Sequence, residues 1–193
     1  HSNEFVKDNY ITFNYSVGIN PRSLLGAAKA NSMGRFVARF NLTSSLQTSR
    51  KSVSAGKFEF DPFKYNANDT ALVTLSAVFV NTLSFNRFSS KWGIDFSNLR
   101  NNGKSLLTYG YESRELIDWT AKLRVNFSRS LTFNLNGRHG SNSLSTPNAQ
   151  FDNRNYDLAI NSIEPVFSWI KGTTIRVSTG YKLEKKENKQ QYG

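Results

Sequence analysis

The chain has no cysteine, which excludes a disulfide scaffold, a thiolate zinc site and a cysteine nucleophile. Its only histidines are His1 and His139, and no acidic cluster has calcium-loop spacing. Phosphate-cradling glycine motifs are also missing. No metal or other cofactor is therefore expected. Long apolar runs are absent as well, and nothing approaches the roughly 20 residues of a membrane helix. Acidic residues are scarce, with 14 Asp+Glu against 25 Lys+Arg and a net charge of +11. A basic balance can signal nucleic acid or an anionic membrane surface. The basic residues are spread along the chain, however, with one dense cluster at Lys182, Lys185, Lys186 and Lys189. Without zinc-finger spacing, an aromatic-basic RNA signature or a recognition-helix pattern, no nucleic-acid partner is expected.

The chain starts His1-Ser2-Asn3 without an initiating Met, a signal segment or a lipidation motif. It finishes in a polar stretch, read as a tail over 184–193. Both ends are expected to be cut, and the whole length, 1–193, is read as a single β-barrel or barrel-fragment domain.

What the chain does contain suits half-buried strands. There are 15 Phe, 8 Tyr and 3 Trp, and Asn (22) with Ser (24) makes up about a quarter of 193 residues. Apolar residues recur at every second position, the strand period. Ile11, Phe13, Tyr15 and Val17 share one face, and Phe36, Ala38, Phe40 and Leu42 do likewise within 35–43. A further run carries Val73, Leu75, Ala77 and Phe79, then Leu83 and Phe85. Trp92, Ile94 and Phe96 follow a short connection at 87–91. The clearest hairpin pairs Ile117 to Phe127 with Leu131 to Gly137 across a turn at 129–130. A second pairs Phe167 and Trp169 with Ile175 to Leu183 across 171–172. Its first strand changes phase between Ile160 and Ile163 and then meets Pro165, for which a bulge is expected. Polar loops are expected near 98–106 and 141–153.

These patterns predict an all-β antiparallel meander of about eight strands, a transmembrane β-barrel or part of one. Several runs reach the roughly 9–11 residues that a tilted spanning strand needs. Aromatics gather near the run ends, as in two interfacial girdles, and the polar face can hydrate a lumen. The expected surroundings are outer-membrane lipid and, as further partners, other outer-membrane or periplasmic proteins. Loops 98–106 and 141–153 would face outward and the tight turns would face the periplasm. The alternative is a soluble β-sandwich that presents its loops for adhesion or binding.

Several stretches look like large, mostly uncharacterised outer-membrane β-barrel proteins of Bacteroidetes-type bacteria. They are Leu83-Ser84-Phe85-Asn86-Arg87, Leu107-Thr108-Tyr109-Gly110-Tyr111-Glu112-Ser113-Arg114, Asn153-Arg154-Asn155-Tyr156 and the run from Gly172 to Lys182. The resemblance implies an outer-membrane location in a Gram-negative cell and further strands after Gly193, with no assigned substrate.

No enzymatic activity is expected, since chemically competent groups are few. Glu115 and Asp118 are read as rim or lumen charges. The polar-face cations Lys122, Arg124, Arg138, Arg176 and Lys182 are candidates to bias a pore toward anions, or to pair with Asp118, Glu164 or Glu184. One sharper constellation exists. His139 and Ser141 fall on one face of a strand, the face of Leu131, Phe133 and Leu135, and Asn153 follows on what is expected to be the next strand. A histidine can take the serine proton while an asparagine orients its ring. The spacing, with Asn142, Pro147, Arg154 and Tyr156, is similar to that of outer-membrane phospholipase A, whose His-Ser-Asn triad lies on the lipid-facing wall. The resemblance implies a membrane lipid hydrolase as a further alternative.

Overall fold

The computed structural model describes residues 8–25, 31–53, 63, 71–108, 110–172 and 175–190. All described strands join one antiparallel sheet in sequence order. They are β1 (Asn9–Ile19), β2 (Phe40–Ser52), β3 (Leu72–Phe85), β4 (Trp92–Leu107), β5 (Gly110–Asn126), β6 (Leu131–Ser145), β7 (Tyr156–Lys171), β8 (Ile175–Gly180) and β9 (Leu183–Asn188). The meander is thus as the period-two reading predicts, and it forms a single sheet rather than the two of a sandwich. Among the described residues no ladder joins β1 to β8 or β9, so the sheet is open.

β8 and β9 occupy one strand position. Both pair with β7 in a common register, Val166↔Gly180 on one side of the break and Ile163↔Leu183 on the other. Pro165 lies at the break. Its carbonyl accepts from the Tyr181 amide at 3.1 Å, but it has no N–H to return to Tyr181. The proline interrupts the ladder toward β8 and β9 and leaves the β6 side intact.

The expected bulge in β7 is therefore not there. β6 and β7 pair without a slip from Leu131↔Trp169 to Leu144↔Tyr156. The phase change has a different cause: in β6 and β7 the apolar positions pass from one face to the other without a slip, whereas β3 keeps Leu75, Ala77 and Phe79 on one face throughout. Cross-strand partners share a face. In the half nearer the tight turns, Phe96, Ala121, Leu135, Ile163 and Phe167 share one face, called here the Trp119 face. Nearer the other end, Leu144 and Ile160 are buried on the opposite face. There the Trp119 face carries Arg100, Asn102, Lys104, Glu115 and Ser143. Among the described residues the register slips once, between Lys51 and Ser52 in β2.

Other expectations need correction. Residues 35–37 of the expected strand at 35–43 belong to a short helix, α2 (Ser32–Val37), which follows α1 (Pro21–Leu24). Phe36 and Phe40 are four apart, a spacing that satisfies both the strand and the helix period. Their rings meet at 5.4 Å and continue through Phe85 to Trp92. The stretch 98–106 is not a loop. It lies within β4, which pairs with β5 as far as Leu107↔Gly110. Its Asn and Lys composition reads as loop, but Asn102 and Lys104 are buried, and the Phe63 ring lies tilted against Phe79 and under Arg100 nearby. β6 likewise runs on to Ser145, leaving 146–155 as the connection. Glu184 to Asn188, read as the start of a tail, belong to β9.

Short connections do fall near 87–91, 129–130 and 171–172. Long and short connections are not sorted by end, because α1 and α2 share the tight-turn end and only 108–109 join β4 to β5.

Candidate functional site

Register assembles the Trp119 face into rungs. One rung crosses every strand position: Ile19, Leu42, Leu83, Phe96, Ala121, Gly137, Ile163 and Leu183. The next rung, toward the polar end, includes Asn98, Trp119, His139, Asn161 and Lys185. Where the first rung shrinks to Ala121 and Gly137, a cavity of about 640 Å³ opens, walled by Phe96, Trp119, Ile163 and Leu183 and capped by His139, Asn161 and Lys185.

His139 is exposed on β6, and its Nδ1 meets Asn161 Oδ1 at 2.6 Å. An amide oxygen only accepts, so Nδ1 is the donor of this pair. Ser141 lies two residues on, on the same face. Among the described residues no hydrogen bond joins it to His139. Asn153 is not on the neighbouring strand but in a 3-10 turn, Ala149–Arg154, so it does not orient the ring. Asn161 takes that place. Its signal in the sequence was the β6–β7 register, which needs the length of both strands and not the count from His139 alone.

The opposite face carries Lys122, Arg124, Arg138 and Arg176 together, as parity predicts, and Lys182 lies in the break between β8 and β9. Arg138 Nε donates to Asp118 Oδ1 at 2.8 Å and Oδ2 at 2.9 Å. Lys182 pairs with Glu184. Arg124 lies across Gly93, where an added Cβ would stand 3.4 Å from its Nη2. That Nη2 donates to the carbonyls of Arg87 at 3.1 Å and Ser89 at 3.0 Å, pinning the β3–β4 turn to β5. Lys122 faces Asp95 in register beside a cavity of about 280 Å³ that Asn134 and Asn136 also line. Glu115 pairs with Arg100 on the Trp119 face, so it and Asp118 lie on opposite sides and do not form an acid–base pair.

The Arg124 anchor makes a local prediction. Arg124→Ala removes two charge-assisted bonds at a half-exposed turn, a loss of about 1 kcal/mol. Amide exchange should rise at 86–91 and remain slow through β5 and β6. Uniform acceleration would argue against a local anchor.

The chain matches no protein-family model, no curated protein and no solved structure.

Proposed function

We propose that this chain is an outer-membrane β-barrel protein of a Gram-negative bacterium of the Bacteroidetes type, or a segment of one, with a structural, transport or surface role and no enzymatic activity. The observation that carries this reading is the exposed apolar band on the tight-turn half of the Trp119 face. Val17, Ile19, Leu83, Phe96, Ile163, Phe167, Trp169 and Val177 are all exposed there, on one side of one sheet. Water-exposed sheets do not hold such a face uncovered.

The dimensions agree. From Val125 to Ile117 the apolar stretch of β5 runs roughly 27 Å along the strand. At the usual barrel tilt of about 35–45° that becomes roughly 20 Å in height, near the roughly 25 Å apolar band of outer-membrane barrels. Aromatic rings line its lower margin, with Phe85 5.6 Å from Trp92 and Phe133 4.7 Å from Phe167.

Refolding with and without detergent micelles tests this, read by circular dichroism and heat-dependent gel migration. The expected result is strand formation in micelles alone. A sharp monomeric fold in plain buffer would make the chain a soluble binding module.

The His139–Asn161 hydrogen bond favours a second reading, a membrane lipid hydrolase. Nε2 would take the Ser141 hydroxyl proton as Oγ attacks an ester carbonyl and would pass it to the alcohol oxygen as the ester C–O bond breaks; water would then cleave the acyl–serine bond, leaving the fatty acid and free Ser141. Lipid cleavage lost in a folded Ser141→Ala protein supports that reading, whereas no cleavage by the folded parent chain removes it.

A further inference from the structure

We infer that the slot over Ala121 and Gly137 holds one anionic phospholipid, with an acyl chain along the slot and the phosphate at His139, Asn161 and Lys185. This rests on the membrane reading above.

The argument begins with Gly137. A glycine inside a strand weakens it and usually marks a bulge, a bend or a close approach. None applies here. The β5–β6 and β6–β7 ladders are regular through this position, and an added Cβ would meet only the Ala121 carbonyl oxygen, at 3.8 Å, which is ordinary contact. The backbone therefore has room for a side chain that the sequence does not supply. Gly140, on the same strand, is the contrast, because there a Cβ would collide with Ile117 O at 2.6 Å.

The surrounding rung sharpens the point. All its other members from Ile19 to Leu183, Ala121 excepted, are large and apolar. The gap is thus confined to two adjacent strands. Its volume of about 640 Å³ lies within the roughly 300–1,000 Å³ of small-molecule sites. A linear alkyl chain fits a trough with an apolar floor and walls.

The polar end selects the head group. The rung of His139, Asn161 and Lys185 is where the Trp119 face turns from apolar to polar, the level at which a lipid's phosphate would lie. Trp119 occupies the same rung, as interfacial aromatics do. Lys185 supplies the cation and is held beside the site by its ion pair with Glu187, which a phosphate would share. Basic pockets at this depth favour anionic head groups.

The test uses two proteins folded into phosphatidylcholine vesicles. One keeps Trp119 alone (Trp92→Phe with Trp169→Phe), and the other keeps Trp169 alone (Trp92→Phe with Trp119→Phe). Each is titrated with a small fraction of brominated-chain phosphatidylglycerol or brominated-chain phosphatidylcholine, and tryptophan quenching is read. The expected result is severalfold stronger quenching of Trp119 by the anionic lipid, with Trp169 quenched equally by both. Gly137→Leu, or Ala121→Leu as an independent filling of the slot, should abolish the excess, and Lys185→Gln should reduce it. Equal quenching of Trp119 by the two lipids, or an excess that survives both filled variants, overturns the lipid site while the membrane reading stands. If neither lipid quenches Trp169, the membrane reading fails and the site with it.

Discussion

Gly140→Ala should destabilise the protein by about 3 kcal/mol, while Gly137→Ala on the same strand should be neutral or slightly stabilising. At Gly140 a Cβ would stand 2.6 Å from Ile117 O, 2.8 Å from Asp118 Oδ1 and 3.2 Å from Asp118 Cα. Two of these three atoms belong to the β5 backbone, which cannot withdraw without opening the ladder at Asp118↔Gly140. The third belongs to a carboxylate already fixed by Arg138. Relief must therefore come from strand separation, and the Asp118–Arg138 pair would loosen with it. Gly137 has no such neighbour, and alanine there reduces the freedom of the unfolded chain. Urea unfolding of the two variants in micelles, followed by tryptophan fluorescence, separates the cases. Equal midpoints would show that β5 and β6 are not so closely packed at Asp118.

The strands were legible because a period of two survives any register. Parity alone put Lys122, Arg124 and Arg138 on one face and His139 with Ser141 on the other. What parity cannot give is pairing across a loop of unknown shape. The 146–155 connection folds through a 3-10 turn, so Asn153 stays in it and Asn161 arrives opposite His139. Composition misled at 98–106, where a strand with polar residues on both faces is held by its ladder and not by apolar alternation. The phase change at Ile160 to Ile163 was visible, but a single strand does not say whether the chain bulges or the surroundings change. The unbroken β6–β7 register decides against the bulge. At Phe36 and Phe40 a spacing of four cannot distinguish a strand from a helix, and the following β2 residues, rich in Ser and Thr, offer little periodic signal.

Glu112 shows how burial makes an ion cluster asymmetric, and the prediction is that losing its cations is worse than losing the acid itself. Its side chain is 6% exposed, whereas those of Arg114 and Arg154 are 62% and 43% exposed. Oε1 receives Arg114 at 2.9 Å, and Oε2 lies 3.3 Å from Arg154. The cluster ties β5 to the 146–155 connection, whose base is closed by Asn155, bonded to the Thr146 amide at 2.7 Å. Glu112→Gln keeps the shape and leaves two arginines that reach water, so the expected loss is about 1 kcal/mol. The double variant Arg114→Ala with Arg154→Ala leaves a buried carboxylate without either cation, and the expected loss is about 3 kcal/mol. Adding Glu112→Gln to that double variant removes the buried charge and should recover part of the deficit. Urea midpoints of the four proteins test the ordering. Equal losses in the single and double variants would mean that the carboxylate is hydrated and the cluster contributes only a surface attraction. Recovery in the triple variant would show instead that the arginines matter chiefly because the carboxylate beneath them cannot reach water.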